Sequence, residues 1–278
     1  MPWVTRGLRE GIVTTPYPRR PDGYGTSFKG HVVCVEGATG AEVGAAAAAC
    51  PTGAIEVGAG GARLDRGRCV LCGRCCKVAP RSFHFEPGFE TAALARPALV
   101  VPGREPDDGE VARVREQLRR RVKALRRSVY LRHVDAGSDG SEEWEIAALM
   151  GPIYDIQRLG IFFTASPRHA DVLLVTGVGT AGMLAPLRLT YEAMPGPKVV
   201  IAVGTDAVSG GLAGGTYASG KGVAGAVPVD VSVPGSPPSP FSILHGILLA
   251  VGLVGQTPGE RAAVPAAVEA TKTKGVAP

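Results

Sequence analysis

The sequence predicts two regions: a small one that holds every cysteine, then an α/β domain built on a parallel sheet. Three observations carry that expectation. All six cysteines fall within residues 1–100. Two short β-branched runs, residues 171–177 (DVLLVTG) and 198–204 (KVVIAVG), each end in glycine, as strands buried on both faces of a parallel sheet do. A polar stretch punctuated by Pro and Gly, residues 101–109 (VPGREPDDG), parts the two regions.

Composition narrows the class before any motif is read. A chain of 278 residues has room for one large domain or two ordinary ones. Hydrophobic residues make up 45% and charged residues 20%, the balance of a folded protein. Lys+Arg number 30 against 25 Asp+Glu, a formal charge of +5. Six cysteines at this length are too few for a disulfide-stapled secreted scaffold. No signal-peptide core follows the opening MPWVTRGLREG. The longest apolar run, residues 241–254, contains His245 and two glycines and falls short of the ~20 residues that span a bilayer. It reads as a buried helix. A soluble or membrane-peripheral protein in a reducing compartment is expected.

Between the two domains, residues 101–133 read as a linker and a basic amphipathic helix. Val111, Val114, Leu118, Val122, Leu125 and Val129 recur at helical spacing, while Arg and Lys crowd the other face from Arg113 to Arg127. Nucleic acid is one possible partner for such a face. No nucleic-acid motif accompanies it, so a solvated face, or one docking on an acidic subunit, fits better. In the region 134–255, residues 186–194 suit a crossover helix between the two strands. The loops at 177–180, 204–211 and 233–238 then lie beyond the carboxyl strand ends, where open α/β sheets carry their sites. No GxGxxG follows the first strand, so no dinucleotide is expected to bind. Residues 256–278 read as a disordered tail.

The cysteines carry the chemistry. Residues 69–76 read CVLCGRCC, and Cys50 precedes Pro51. A C-x₂-C-x₂-C run sets three thiolates around one loop, and in two-cluster ferredoxins the fourth cysteine of each run, followed by Pro, ligates the other cluster. Here the fourth position of the run is Ala79, before Pro80, and residues 38–47 (ATGAEVGAAA) hold no cysteine. Cys50, Cys69, Cys72 and Cys75 therefore form the whole ligand set of one [4Fe–4S] cluster, and every ligand of a second has gone. A structural zinc site on the same four thiolates is the competing reading. Cys34 and Cys76 read as ordinary thiols. Arg66, Arg68, Arg74 and Lys77 would raise the cluster's potential if they face it, and could equally be solvated.

Around CPTGAI (residues 50–55) and RCVLCGRC (residues 68–75), the first region resembles the two-cluster ferredoxin subunits of respiratory complex I and of group 4 energy-converting [NiFe] hydrogenases, including formate hydrogenlyase. From residue 131 onward, RHVDAGS (132–138), YDIQRLG (154–160), ASPRHADV (165–172) and VPVDVSVPG (227–235) resemble the small, proximal-cluster subunit of the same complexes. The resemblance implies an α+β ferredoxin-like domain, residues 1–100, followed by an α/β flavodoxin-like domain with a parallel sheet, residues 134–255.

At the four positions where that family holds its proximal cluster with cysteines, this chain has Asp139, Glu142, Asp206 and Ser236. A cubane cluster needs thiolates, so none is expected there. The quartet would either fill the vacated space and hydrogen-bond internally or hold a hard cation such as Mg²⁺ or Ca²⁺. The resemblance further implies a peripheral subunit on the cytoplasmic side of the cell membrane. Its partners would be a large hydrogenase-like subunit, akin to the 49 kDa subunit of complex I, and antiporter-like membrane subunits. With one [4Fe–4S] cluster, the chain would transfer electrons, dock the large subunit, or both. The alternative is a scaffold in a complex that transports ions or performs metal-dependent hydration. His133, Asp135 and Ser138 lie close in sequence, but no nucleophilic triad is expected from them. Met150 and Tyr154 fall on the segment that faces quinone in complex I, with ordinary subunit packing as their plainer role.

Overall fold

A computed structural model describes residues 2–254 apart from 36, 39, 59–60 and 103–127. The basic helix expected up to residue 127 and the tail from 256 lie outside the described residues.

The first region opens with helix α1 (Pro2–Glu10). Two small sheets follow. Strand β1 (His31–Cys34) pairs antiparallel with β4 (Phe83–Glu86), Val32 opposite Phe85. Strand β2 (Ile55–Gly58) forms a hairpin with β3 (Gly61–Asp65), and β3 also pairs with the short β5 (Val100–Val101). Helices α2 (Ala41–Ala49) and α3 (Arg74–Val78) pack on them. Val32, Val43, Ala46, Leu64, Ala79 and Phe83 form a compact core, and five of the six cysteines sit at its margin or in it. A core this small suits a domain held together by an additional group.

The second region is a five-stranded sheet, every pair parallel, in the order β10-β9-β8-β6-β7. Its strands are β6 (Val129–Asp135), β7 (Ile161–Phe163), β8 (Val172–Thr176), β9 (Val199–Val203) and β10 (Val231–Val233). Counted within the domain, this is the flavodoxin-like order 2-1-3-4-5, whose switch point lies between its first and third strands, here β6 and β8. Both expected strands are present and buried on both faces. Leu174, Ile201 and Val203 point into one core, and Leu173, Val175 and Val200 into the other. Strands β6, β7 and β10 are too short or too mixed in pattern to stand out in sequence. Val129, read as the last apolar residue of the basic helix, instead opens β6, because its register against Ile161 buries it.

The crossover helix α5 (Ala181–Ala193) begins five residues before the expected Pro186. Pro186 lies inside it on the exposed side, where water can serve the carbonyl that proline leaves unpaired. Two further helices follow strand ends, α4 (Ser141–Ala148) after β6 and α6 (Gly204–Ser209) after β9. The apolar run near the C-terminal end forms α7 (Pro240–Ala250), buried at every position. Among the described residues no helix is long and apolar enough to cross a membrane.

The two regions interlock. Tyr17, Phe28 and Phe89 from the first region surround Phe241 of α7, with Phe89 stacked on it at 4.8 Å. Ala93 exchanges two backbone hydrogen bonds with Ser232 of β10, 2.9 and 2.8 Å, and so covers that edge of the sheet.

Candidate metal centre

Cys50 caps the C-terminal end of the alanine-rich α2. The turn after it is tight. Gly53 donates to the Cys50 carbonyl at 3.3 Å with a positive φ of 58°, and the Arg68 guanidinium lies where a β-carbon at 53 would need room. The turn aims the Ala54 N–H at the Cys50 sulfur, 3.2 Å away. Burial would raise this thiol, but the Ala54 N–H and the Thr52 side chain outweigh it, so the net shift is downward.

Cys69 follows a single helical turn, residues 66–68. Asp65 stabilises that turn by accepting from the Gly67 N–H at 2.9 Å and from Arg96 at 2.6 Å. After Cys69 the chain doubles back through two left-handed residues, Leu71 (φ 55°) and Gly73 (φ 72°). A left-handed leucine costs of order 1 kcal/mol or more and persists where its surroundings dictate it. The reversal returns Cys72 and Cys75 toward Cys69. All four predicted ligands, Cys50, Cys69, Cys72 and Cys75, line one narrow pocket with Ile55 and Leu64. Burial pushes the Cys69 thiol up to about 11. Burial and the neighbouring Cys76, whose sulfur is 3.9 Å away, push Cys75 up to about 12. Cys34 and Cys76 do not line the pocket. Among the described residues, no three His, Cys, Asp or Glu side chains are grouped as one metal ion requires.

The strand-end loops of the α/β region lie directly against this pocket. The Thr205 hydroxyl, at the start of α6, donates to the Cys69 carbonyl at 3.1 Å, and the Thr205 N–H donates to Gly235 at 2.7 Å. A second crevice between the regions is lined by Arg66, Cys69, Leu71, Thr91, Pro234 and Gly235.

Of the quartet Asp139, Glu142, Asp206 and Ser236, the three acids come together. Glu142 is 1% exposed and lies against the Gly204 backbone, close enough that a β-carbon at 204 would fall 2.5 Å from its Oε1. That oxygen has no hydrogen-bond partner, while Oε2 accepts from Ser141 at 3.1 Å. Burial first, and then Asp206 and Asp139, raise Glu142 to about 7. Asp206 is raised by burial and by Asp139. Asp139 goes the other way, since the Ser141 hydroxyl and N–H stabilise its charge. Ser236 lines an adjoining open crevice with Lys29, Val70, Leu71 and Glu145.

Sequence reasoning missed two residues. Thr205, which ties the loops to Cys69, lies in a stretch whose motif signal came from its glycines. Glu143 is the hub of a polar cluster at the ends of β6 and β8. It accepts from Ser138 at 2.7 Å and from the Thr176 hydroxyl, and it stands 3.6 Å from His133. Asp135 acts on His133 electrostatically, while its carboxylate closes a turn on the Gly137 and Ser138 N–H groups. The repeated acids of SEEWE in α4 were the available signal. Burial lowers the His133 pKa.

Residues 140–250 match the family model described as NADH ubiquinone oxidoreductase, 20 Kd subunit. The chain is 37% identical over 178 residues to formate hydrogenlyase subunit 7 of Escherichia coli (strain K12), covering 62% of this chain and 69% of that protein. It is 39% identical over 145 residues to the probable membrane-bound hydrogenase subunit mbhJ of Pyrococcus furiosus, covering 52% of this chain and 87% of that one. Among solved structures, a chain of the membrane-bound sulfane sulfur reductase, an archaeal respiratory membrane complex, matches at 31% identity and a TM-score of 0.43, over 50% of this chain and 77% of that one. The chain belongs to the 20 kDa subunit family of NADH ubiquinone oxidoreductase, together with these hydrogenase subunits.

Proposed function

We propose that the chain is an iron–sulfur peripheral subunit of a membrane-associated complex of the complex I and group 4 hydrogenase type. Residues 1–100 form a ferredoxin-like domain fused to the family's α/β domain. Cys50, Cys69, Cys72 and Cys75 hold one [4Fe–4S] cluster. When bound, that group supplies one-electron transfer. The chain's own residues position it, with the Ala54 N–H on one sulfur and Thr205 on the Cys69 backbone. The observation that carries the reading is the convergence of all four thiols on one pocket lined with apolar side chains, a donor set that fits an iron–sulfur cluster.

No thiolate stands at Asp139, Glu142, Asp206 or Ser236, so this domain carries no proximal cluster of its own. The subunit passes electrons from its single cluster, docks a large hydrogenase-like subunit at the strand-end loops, or does both, beside antiporter-like membrane subunits on the cytoplasmic face. The missing thiolates also favour a second reading, in which the cluster is a structural staple in a complex without redox chemistry.

Iron, sulfide and zinc analysis with EPR on the anaerobically purified, dithionite-reduced protein tests this. About four irons per chain and one S = ½ signal are expected, both lost in Cys69→Ala. Zinc in place of iron would make the chain a scaffold. About eight irons would mean that a second cluster exists and that the vacant-site reading fails.

A further inference from the structure

Helix α1 has an apolar side that stays in solvent. At helical spacing Trp3, Val4, Gly7 and Leu8 fall on one side, continued by Ile12 just beyond the end, while Arg6, Arg9 and Glu10 fall on the other. Trp3 is 75% exposed, Leu8 81% and Ile12 93%. A nine-residue helix is marginal on its own in water, and burial of this side would stabilise it. Its root is fixed: Thr15 donates its N–H to Ile153 and Thr14 its hydroxyl to Pro152, both at 2.8 Å. That anchorage sets the exposed Val13 beside the loop carrying the exposed Met150 and Ile153.

Charge identifies the occupant. Residues 1–20 contain Arg6, Arg9, Arg19 and Arg20 against one acid, Glu10, which is paired with Arg6 at 2.7 Å. A short basic helix with tryptophan on its apolar side matches an anionic lipid surface, which takes apolar side chains below the headgroups and leaves arginines among the phosphates. A protein groove would bury the apolar side without using this excess of positive charge. We propose that α1, with the Met150–Ile153 loop beside it, seats the chain on an anionic membrane, its axis in the plane of the headgroups. This builds on the membrane-peripheral reading above, but its test does not involve the cluster.

The full chain carrying Trp144→Phe leaves Trp3 as the single tryptophan. It is mixed with vesicles of phosphatidylcholine, alone or with phosphatidylglycerol. With the anionic vesicles, Trp3 emission should shift to the blue and the protein should sediment. Arg9→Gln should weaken that binding about fivefold, and Leu8→Glu about tenfold or more, with iron content and melting temperature unchanged. Unshifted emission, equal binding to both vesicle types, or binding that survives Leu8→Glu would overturn the proposal. So would a blue shift that appears only when detergent-solubilised membrane subunits are added, since the face would then belong to a protein. Vesicle binding by protein that lacks iron would leave this inference standing while the cluster reading fails, and the reverse result would separate them the other way.

Discussion

Glu142 is a buried acid at one of the four positions that the family resemblance pairs with cysteine. A buried carboxylate beside two other acids, with one oxygen unpartnered, is costly to ionise. Its pKa rises from 4.5 to about 7, so between those values the folded protein holds a proton that the unfolded chain has released. Stability is therefore full below about pH 4.5 and falls as pH climbs through about 7, by roughly 3 kcal/mol from this residue. Glu142→Gln should remove that slope and leave the variant the more stable protein at pH 8, as read by denaturant unfolding at pH 5 and pH 8. An unchanged pH difference in the variant would sink the idea. The residues of this neighbourhood were legible unevenly. The cysteines announced themselves by their spacing, three in a C-x₂-C-x₂-C run and Cys50 before a proline. Thr205 did not, because a threonine that bonds a distant carbonyl leaves no periodic trace.

Among the elements, the buried strands β8 and β9 were legible because burial on both faces demands an unbroken apolar run. The edge strands were not, since β7 and β10 are three residues each and draw their identity from their neighbours. Gly177, with a φ of 81°, sits so close to the loop after the neighbouring strand β6 that a β-carbon would lie 2.5 Å from the Gly137 carbonyl carbon and the Ser138 nitrogen. Gly177→Ala should cost roughly 2–5 kcal/mol, combining left-handed strain with overlap on rigid backbone. Thermal unfolding checks it: a melting temperature within about a degree of the parent would show that the two loops can separate freely.

For the whole molecule, sequence separated the regions by composition but gave no sign of how they interlock. Aromatic residues on either side of the cysteine region cover α7, and Ala93 covers the edge of β10. A fragment of residues 128–254 expressed alone should therefore aggregate, with Phe241 and its neighbours uncovered, and should be recovered in solution when residues 1–102 are co-expressed. A soluble, monodisperse fragment by gel filtration would contradict this. The Ala93–Ser232 pairing also sets an order of events in the cell. At about 5–20 residues per second, the ribosome needs on the order of ten seconds to travel from one partner to the other. On the reading proposed above, the thiols that line the cysteine pocket, all within residues 50–75, can receive a cluster during that interval. Cofactor loading can thus precede completion of the polypeptide, and the second half of the chain would then fold onto a site already filled.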